Sequence, residues 1–181
     1  MFEETERDLL RKVAVAAAAR ALGLRSAPAA VPAPAVPPAL LPFEGIFVTW
    51  SKEGRPRGRS GTLATDVPLF TLIEIHAVDA LLHDPRVPPA TAKDFPRHAP
   101  QISILGAFEE LSGADGVVVG THGVVAEKGK RWGVVLPQDA EGLGWDGERL
   151  LGQACLRAGL PEESWRATGS VRLRRFTAET F

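Results

Sequence analysis

The chain has 181 residues, 45% of them hydrophobic and 24% charged, with a formal net charge of −1. That length suits one domain or two small lobes sharing a core, and it buries roughly 70% of the unfolded surface without covalent staples. The charge balance disfavours bulk nucleic-acid binding and leaves room for a local basic stripe only.

One cysteine, Cys155, leaves no intrachain disulfide framework and fits a reducing cytoplasm. No apolar run reaches the length of a bilayer span, so no membrane is expected. Phe2 to Asp8 carries four acidic residues and one basic one, the wrong sign for the first region of a signal peptide.

Glu3 to Leu24 reads as a helix. Its acidic residues come first, Arg20 stands near its end, and Gly23 is placed as a C-cap. Leu9, Leu10, Val13, Ala17, Ala21 and Leu22 form its apolar stripe. Residues 1–25 are expected to pack on the rest of the molecule, and residues 26–42, rich in Ala and Pro, to form an extended connector. The main domain is then 43–181.

The centre of that domain is Phe43 to Leu82. Ile46, Val48 and Trp50 alternate with Phe47 and Thr49, a strand with apolar groups on both faces. Lys52-Glu53-Gly54 supplies a turn, with Gly54 free to take positive φ. The return strand carries Arg55, Arg57 and Arg59 at period two, so a regular strand puts them on one face. Gly58 and Gly61 leave its backbone bare, a sign of a bulge or of close approach by another group. Thr65 or Asp66 then caps a helix with Pro68 in its first turn and Leu82 and Pro85 bracketing its end. Leu69, Leu72, Ile73, His76, Ala77 and Ala80 form its inward stripe.

An arginine face, bare amides and a helix start are the ingredients of an anion site. The same arginines also suit an edge hairpin kept soluble and unpaired by its charge. The stretch is neither a P-loop nor a dinucleotide fingerprint, because the glycine spacing and the Lys-Ser/Thr ending are wrong, and no cofactor is expected.

His83 to Pro89 holds three prolines and is stiff. It fixes the directions of Asp84 and Arg86, either for a site or for pairing with each other. Gln101 to Phe108, Val117 to Val119, Val124-Val125, Arg131 to Leu136 and Ser170 to Phe176 read as strands, with a hairpin turn at Glu127 to Lys130. Asp146 caps a helix to Ala158 with Gly159 beyond it, and Pro161 to Trp165 forms one further turn. Helices interspersed with antiparallel hairpins argue for an α+β fold, a sheet flanked by helices.

For chemistry, His122 lies between glycines on a turn, either as an accessible base or as a turn histidine bonded to backbone. A triad of Ser60, His122 and Asp84 can be written, but Ser60 does not lie in a Gly-x-Ser-x-Gly elbow. His76 and His83, seven apart on a helix, join Asp84 and His98 as a metal set without an established spacing, and no metal is expected. Cys155, on the apolar side of its helix, reads as a buried thiol. Trp50, Trp132, Trp145 and Trp165 read as core residues.

With these residues in place, the chain resembles the AMMECR domain family, protein A of the AmmeMemoRadiSam system. Phe47-Val48-Thr49-Trp50 is similar to the family's opening Phe-Val-Thr strand. Asp84-Pro85-Arg86-Val87-Pro88-Pro89 resembles Asp-Pro-Arg-Phe-Pro-Pro, and Gln101 to Leu105 fits the Ser-containing strand that follows. Gly120-Thr121-His122-Gly123 matches a Gly-x-His-Gly turn. Leu136-Pro137-Gln138, Gly144-Trp145-Asp146, Ala158-Gly159-Leu160-Pro161 and Trp165 follow in register. Arg57 to Thr62 sits where the family usually has Leu-Arg-Gly-Cys-Ile-Gly, but Arg59 stands at the cysteine and Ser60 at the isoleucine. A thiolate nucleophile or ligand is therefore absent from that position.

The resemblance implies two lobes around an antiparallel sheet with a cleft between them. It also implies the company of a Memo-like protein and a radical SAM protein, and it implies no settled activity. Two functions are expected from the whole reading. In one, a small anionic ligand is bound, or bound and transformed, in the cleft by Arg57, Gly58, Arg59, Ser60, Gly61 and Arg86, with His122, Asp84 and Ser60 as catalytic candidates. In the other, the chain is a non-catalytic adaptor docking on the Memo-like or radical SAM partner.

Overall fold

The computed structural model describes residues 2–24, 43–63, 66–167 and 169–181. The expected connector and the cap candidate Thr65 lie outside them. In chain order the elements are α1 (Glu4–Ala21), β1 (Gly45–Lys52), β2 (Arg55–Thr62), α2 (Leu69–Val78), β3 (His98–Leu105), β4 (Glu109–Glu110), β5 (Gly123–Lys128), β6 (Arg131–Val135), α3 (Gly147–Arg157), β7 (Arg172–Phe176) and β8 (Ala178–Thr180). The fold is α+β, as the interspersed helices and hairpins suggest. Two compact units divide the chain: Met1–Ile104 with Glu179–Phe181, and Leu105–Ala178.

The first unit holds a four-stranded sheet in the order β2-β1-β3-β8. Helix α1 opens with the Glu3 amide donating to the Glu6 carboxylate at 2.8 Å. Its alanines are buried more broadly than a single stripe: Ala14 and Ala16 to Ala19 are all buried, while Ala21 is exposed. Small side chains let most of the helix surface approach its neighbours, so the 3.6-residue period blurs. Gly23 adopts φ +69° and ends the helix, with the Leu24 amide reaching back to the Ala19 carbonyl at 3.0 Å. Glu179 of β8 accepts from the Phe2 amide at 2.8 Å and from Arg7 at 2.9 Å.

The β1–β2 hairpin turns through Glu53 and Gly54, both at positive φ, with Lys52 opposite Arg55. Its register then slips by one. Ser51 pairs with Pro56 but Trp50 pairs with Gly58, so Arg57 is the extra residue of a bulge. From there Thr49 faces Arg59 and Val48 faces Ser60. The single arginine face expected from a regular strand is therefore broken at Arg57.

Both glycines of β2 are filled from within the molecule. A Cβ at Gly58 would drive into the Ala80 carbonyl, and one at Gly61 would meet the Phe47 ring.

Trp50 is fully buried, packs its ring 5.7 Å from that of Phe95, and donates from Nε1 to the Ala77 carbonyl at 2.8 Å. Ala77 lies in the last turn of α2, where the helix widens into a π-helical segment, Asp79–His83. Helix α2 itself starts after Pro68, which occupies the N-cap position with no side-chain hydrogen bond. Asp66 does not cap this end and Pro68 stands just before the first turn rather than in it, its extended ψ of 138° marking the boundary.

The second unit has a sheet in the order β4-β7-β5-β6. Helix α3 covers it with Leu150, Leu151, Ala154 and Cys155, packed on Val124, Ala126, Val135 and Leu173. Gly133 lets the helix sit close, because a Cβ there would strike the Ala154 carbonyl. Asp146 caps α3 through the Arg149 amide at 2.8 Å, and Gly159 follows at φ +68°.

Two strand expectations change. Val117 to Val119 is no strand: the Val118 carbonyl takes the amides of Thr121 at 3.1 Å and His122 at 2.8 Å, closing a turn. The strand expected at Gln101 to Phe108 is β3, which begins at His98 and stops at Leu105, because it runs beside β1 and exchanges backbone hydrogen bonds between Ile102 and Phe181. In β7, Leu173 and Phe176 are both buried, one from each face.

Replacing Trp50 by Phe would leave the Ala77 carbonyl without this donor and open a void. The variant should lose about 1–3 kcal/mol, read as a lower midpoint in thermal unfolding followed by circular dichroism.

Candidate functional site

A pocket of about 220 Å³ lies within the first unit, lined by Thr49, Pro56, Arg57, Gly58, Arg59 and Arg86. Pairing parity explains its position. Trp50 and Ser60 point toward α2, so Thr49 and Arg59, one residue along on each strand, point to the opposite face.

The pocket is organised by Asp84, which closes the π-helical segment. Its side chain is 1% exposed, whereas that of Arg86 is 67% exposed. Oδ1 accepts from the Arg86 amide at 3.0 Å and Arg86 Nε at 2.8 Å, and Oδ2 from Arg86 Nη2 at 2.7 Å and the Arg59 amide at 2.8 Å. Hydrogen bonds from the Arg86 guanidinium, helped by the two backbone amides and opposed by burial, hold the carboxyl well below the usual carboxylate range. Asp84 is thus a fixed anion that orients Arg86. With four donors on it, it is a poor general base.

The arginines are each anchored differently. Arg59 donates from Nε to Thr49 Oγ1 at 2.8 Å. Arg86 leans on Asp84 and reaches the Arg59 carbonyl at 3.3 Å. Arg57, on the bulge, donates from Nη2 to the Pro88 carbonyl, while its Nη1 is buried with no hydrogen-bond partner among the described residues. A buried donor without a partner is costly and calls for an acceptor.

Of the residues expected to bind a ligand, Arg57, Gly58, Arg59 and Arg86 line this pocket. Ser60 faces α2 instead, its Oγ 2.9 Å from His76 Nδ1. Burial pushes the His76 imidazole below its ordinary value, with nearby Asp79 acting in the opposite sense. Ser60 therefore takes its imidazole from α2. Gly61 lies against the Phe47 ring.

His122 belongs to the second unit. It accepts the Val118 amide on Nδ1 at 3.0 Å, which makes it a turn histidine bonded to backbone and leaves the proton on Nε2.

The seven-residue spacing of His76 and His83 does not give a shared face. His76 meets Ser60, whereas the His83 side chain, 63% exposed, pairs with Asp79 at 2.9 Å, because the widened turn lies between them. His98 is held by the Asp94 carbonyl at 2.9 Å. Among the described residues no three His, Cys, Asp or Glu side chains are grouped to hold a metal ion. Cys155 is buried, and burial raises its thiol pKa, which keeps it protonated.

Sequence reasoning overlooked Thr49 as the anchor of Arg59, the Pro88 carbonyl as the anchor of Arg57, and the Ser60–His76 contact. The first follows from cross-strand pairing only once the bulge is known.

The AMMECR1 family profile matches residues 11–181. The chain belongs to the AMMECR1 family. A Thermococcus gammatolerans protein is 33% identical over 155 residues, which is 80% of this chain and 75% of that relative. A Thermofilum pendens protein is 35% identical over 163 residues, again 80% and 75%. The crystal structure of the uncharacterized protein PH0010 from Pyrococcus horikoshii shares the fold, with a TM-score of 0.86 at 28% identity, covering 99% of this chain and 92% of that one. Among the described residues of this AMMECR1 protein, no helix is long and apolar enough to cross a membrane.

The depressed pKa of Asp84 sets a sign. A carboxyl more acidic folded than unfolded stabilises the fold above its unfolded value, about 3.9, and that stability is lost as pH falls from there through the folded value. Asp84→Asn should therefore be less stable than the parent by about 1–3 kcal/mol at pH 7. The gap should narrow below about pH 4. Urea unfolding from pH 7 to pH 2 checks this, and a gap that stays constant would mean that the charge of Asp84 is not what matters.

Proposed function

We propose that this AMMECR1 protein binds a small anionic ligand in the arginine pocket of the first unit. The observation that carries the reading is a pocket lined by three arginines, Arg57, Arg59 and Arg86; Arg57 Nη1 has no hydrogen-bond partner among the described residues. Guanidinium bonds to phosphate or carboxylate oxygens are short and strong, and donors already held in place lose little freedom on binding. The pocket supporting this reading lies wholly within the first unit, so the reading needs nothing from His122.

The docking alternative, with a Memo-like or radical SAM partner, has less behind it. Among the described residues the exposed large apolar side chains are Ile75, Val118, Trp132, Leu143 and Leu156; single exposed apolar residues are normal on a protein surface and do not by themselves mark a docking face.

Isothermal titration with inorganic phosphate, sulfate and acetate tests the proposal on the parent chain and on Arg57→Ala. At least one anion should bind, and the substitution should weaken it tenfold or more, about 1.4 kcal/mol. No heat with any anion, or equal affinity in both chains, would remove this function.

A further inference from the structure

The face of the first sheet opposite the arginine pocket carries a different polar pair. Strand parity sends Ser60 to that face and Arg59 to the other, and Val48, across from Ser60 on β1, is fully buried in the core that α2 covers. His76 comes from α2, among the buried Leu72, Ile73 and Ala77, and its Nδ1 lies 2.9 Å from Ser60 Oγ. Both residues are half-buried, and Ser60 stands on the outermost strand of its sheet, so the pair sits at the margin of the core and not inside it. We infer that Ser60 and His76 form a nucleophile and general-base pair that takes acyl groups from small, uncharged, activated esters.

Geometry carries the argument. A free hydroxyl is a weak nucleophile, and a base within about 2.6–3.2 Å that can take its proton is what activates it. With the ring proton on Nε2, the Nδ1 lone pair is available to the Ser60 hydroxyl. Burial holds the imidazole below its ordinary value, so the ring is neutral near pH 7 and able to accept a proton. The charges around it are accounted for element by element. Asp79, one turn further on, acts on the ring in the opposite sense and is itself paired with His83 of the π-helical segment. From α1, Arg20 is taken by Glu74 of α2. From β2, Arg59 is turned to Thr49 on the other face, and β1 contributes the apolar Ile46, Val48 and Trp50. The charge felt by the imidazole is thus the carboxylate of Asp79, which disfavours an anionic acyl group and favours an uncharged one.

The chemistry balances with water as the one co-reactant. Ser60 Oγ adds to the acyl carbon as its proton passes to His76 Nδ1. The bond from that carbon to the leaving alcohol's oxygen breaks, and the oxygen takes the proton from Nδ1. Acyl-Ser60 and free alcohol result. Water then adds to the acyl carbon and gives a proton to Nδ1, the bond to Oγ breaks, Oγ recovers the proton, and a carboxylic acid leaves. A serine that merely satisfied a half-buried imidazole would show none of this reactivity.

The test treats the whole chain with p-nitrophenyl acetate, follows nitrophenol release and maps the acetyl group by peptide mass spectrometry. Ser60 should be acetylated in the parent chain. Ser60→Ala should lose that modification and the matching burst of nitrophenol. His76→Gln, which keeps a hydrogen-bonding side chain without the base, should acetylate at Ser60 roughly a hundredfold more slowly. The parent rate should fall as pH drops from about 8 toward about 4, because the protonated ring cannot take the serine proton. If circular dichroism shows His76→Gln unfolded, the pH profile decides. Acetylation confined to other residues, or acetylation of Ser60 that ignores either the folded His76→Gln or pH, overturns the inference. Such a result leaves the anion pocket on the other face untouched.

Discussion

One buried carboxylate organises the first unit's polar chemistry. Asp84 sits out of water and is met by four donors from two residues, one of which, the Arg59 amide, belongs to the strand facing it. An ion in that position without partners would cost several kcal/mol. With them it becomes a rigid strut joining the end of the widened helix to the hairpin. Its geometry fixes where the Arg86 guanidinium stands, and so where one wall of the pocket lies.

The backbone around Asp84 is shaped to allow that strut. A π-helical segment inserts extra chain before Asp84, and its Ala80 carbonyl occupies the space that a side chain at residue 58 would need. Glycine at 58 is thus a packing requirement. The bulge at Arg57 completes the arrangement, putting Arg59 opposite Thr49 and setting Arg57 apart to reach Pro88. A widened helix turn, a glycine and a bulge act together, which fits the tendency of such irregularities to collect at functional places.

Much of this was legible beforehand. Alternation through Ile46, Val48 and Trp50 identified the central strand, Gly54 and Gly159 marked where the chain reverses or stops, and Asp146 announced α3. The pairing of Asp84 with Arg86 was one of the two readings of the proline-stiffened loop. What escaped detection was set by pairing over distance. A regular hairpin would put Thr49 opposite Gly58, and nothing local to residues 55–62 signals the slipped register. The same holds for Ser60 and His76, which meet because a helix is laid on that face of the sheet. Val117 to Val119 misled because β-branched residues favour strands only when a neighbouring strand takes their backbone groups, and here a turn takes them. The substitution that set this chain apart within its resemblance, Arg59 at a cysteine position, acquires a physical meaning: a charged, anchored donor at the pocket.

The sheet of the first unit is closed by β8, whose Glu179 gathers the Phe2 amide and Arg7, yet some seventy intervening residues belong to the other unit. On the ribosome, β3 and α1 emerge long before that strand exists. Until residues 178–181 are synthesised, one margin of the nascent sheet has unpaired amides and α1 lacks its acidic anchor. The unit that forms the pocket is made first and completed last, so its assembly depends on the intervening segment folding without obstruction.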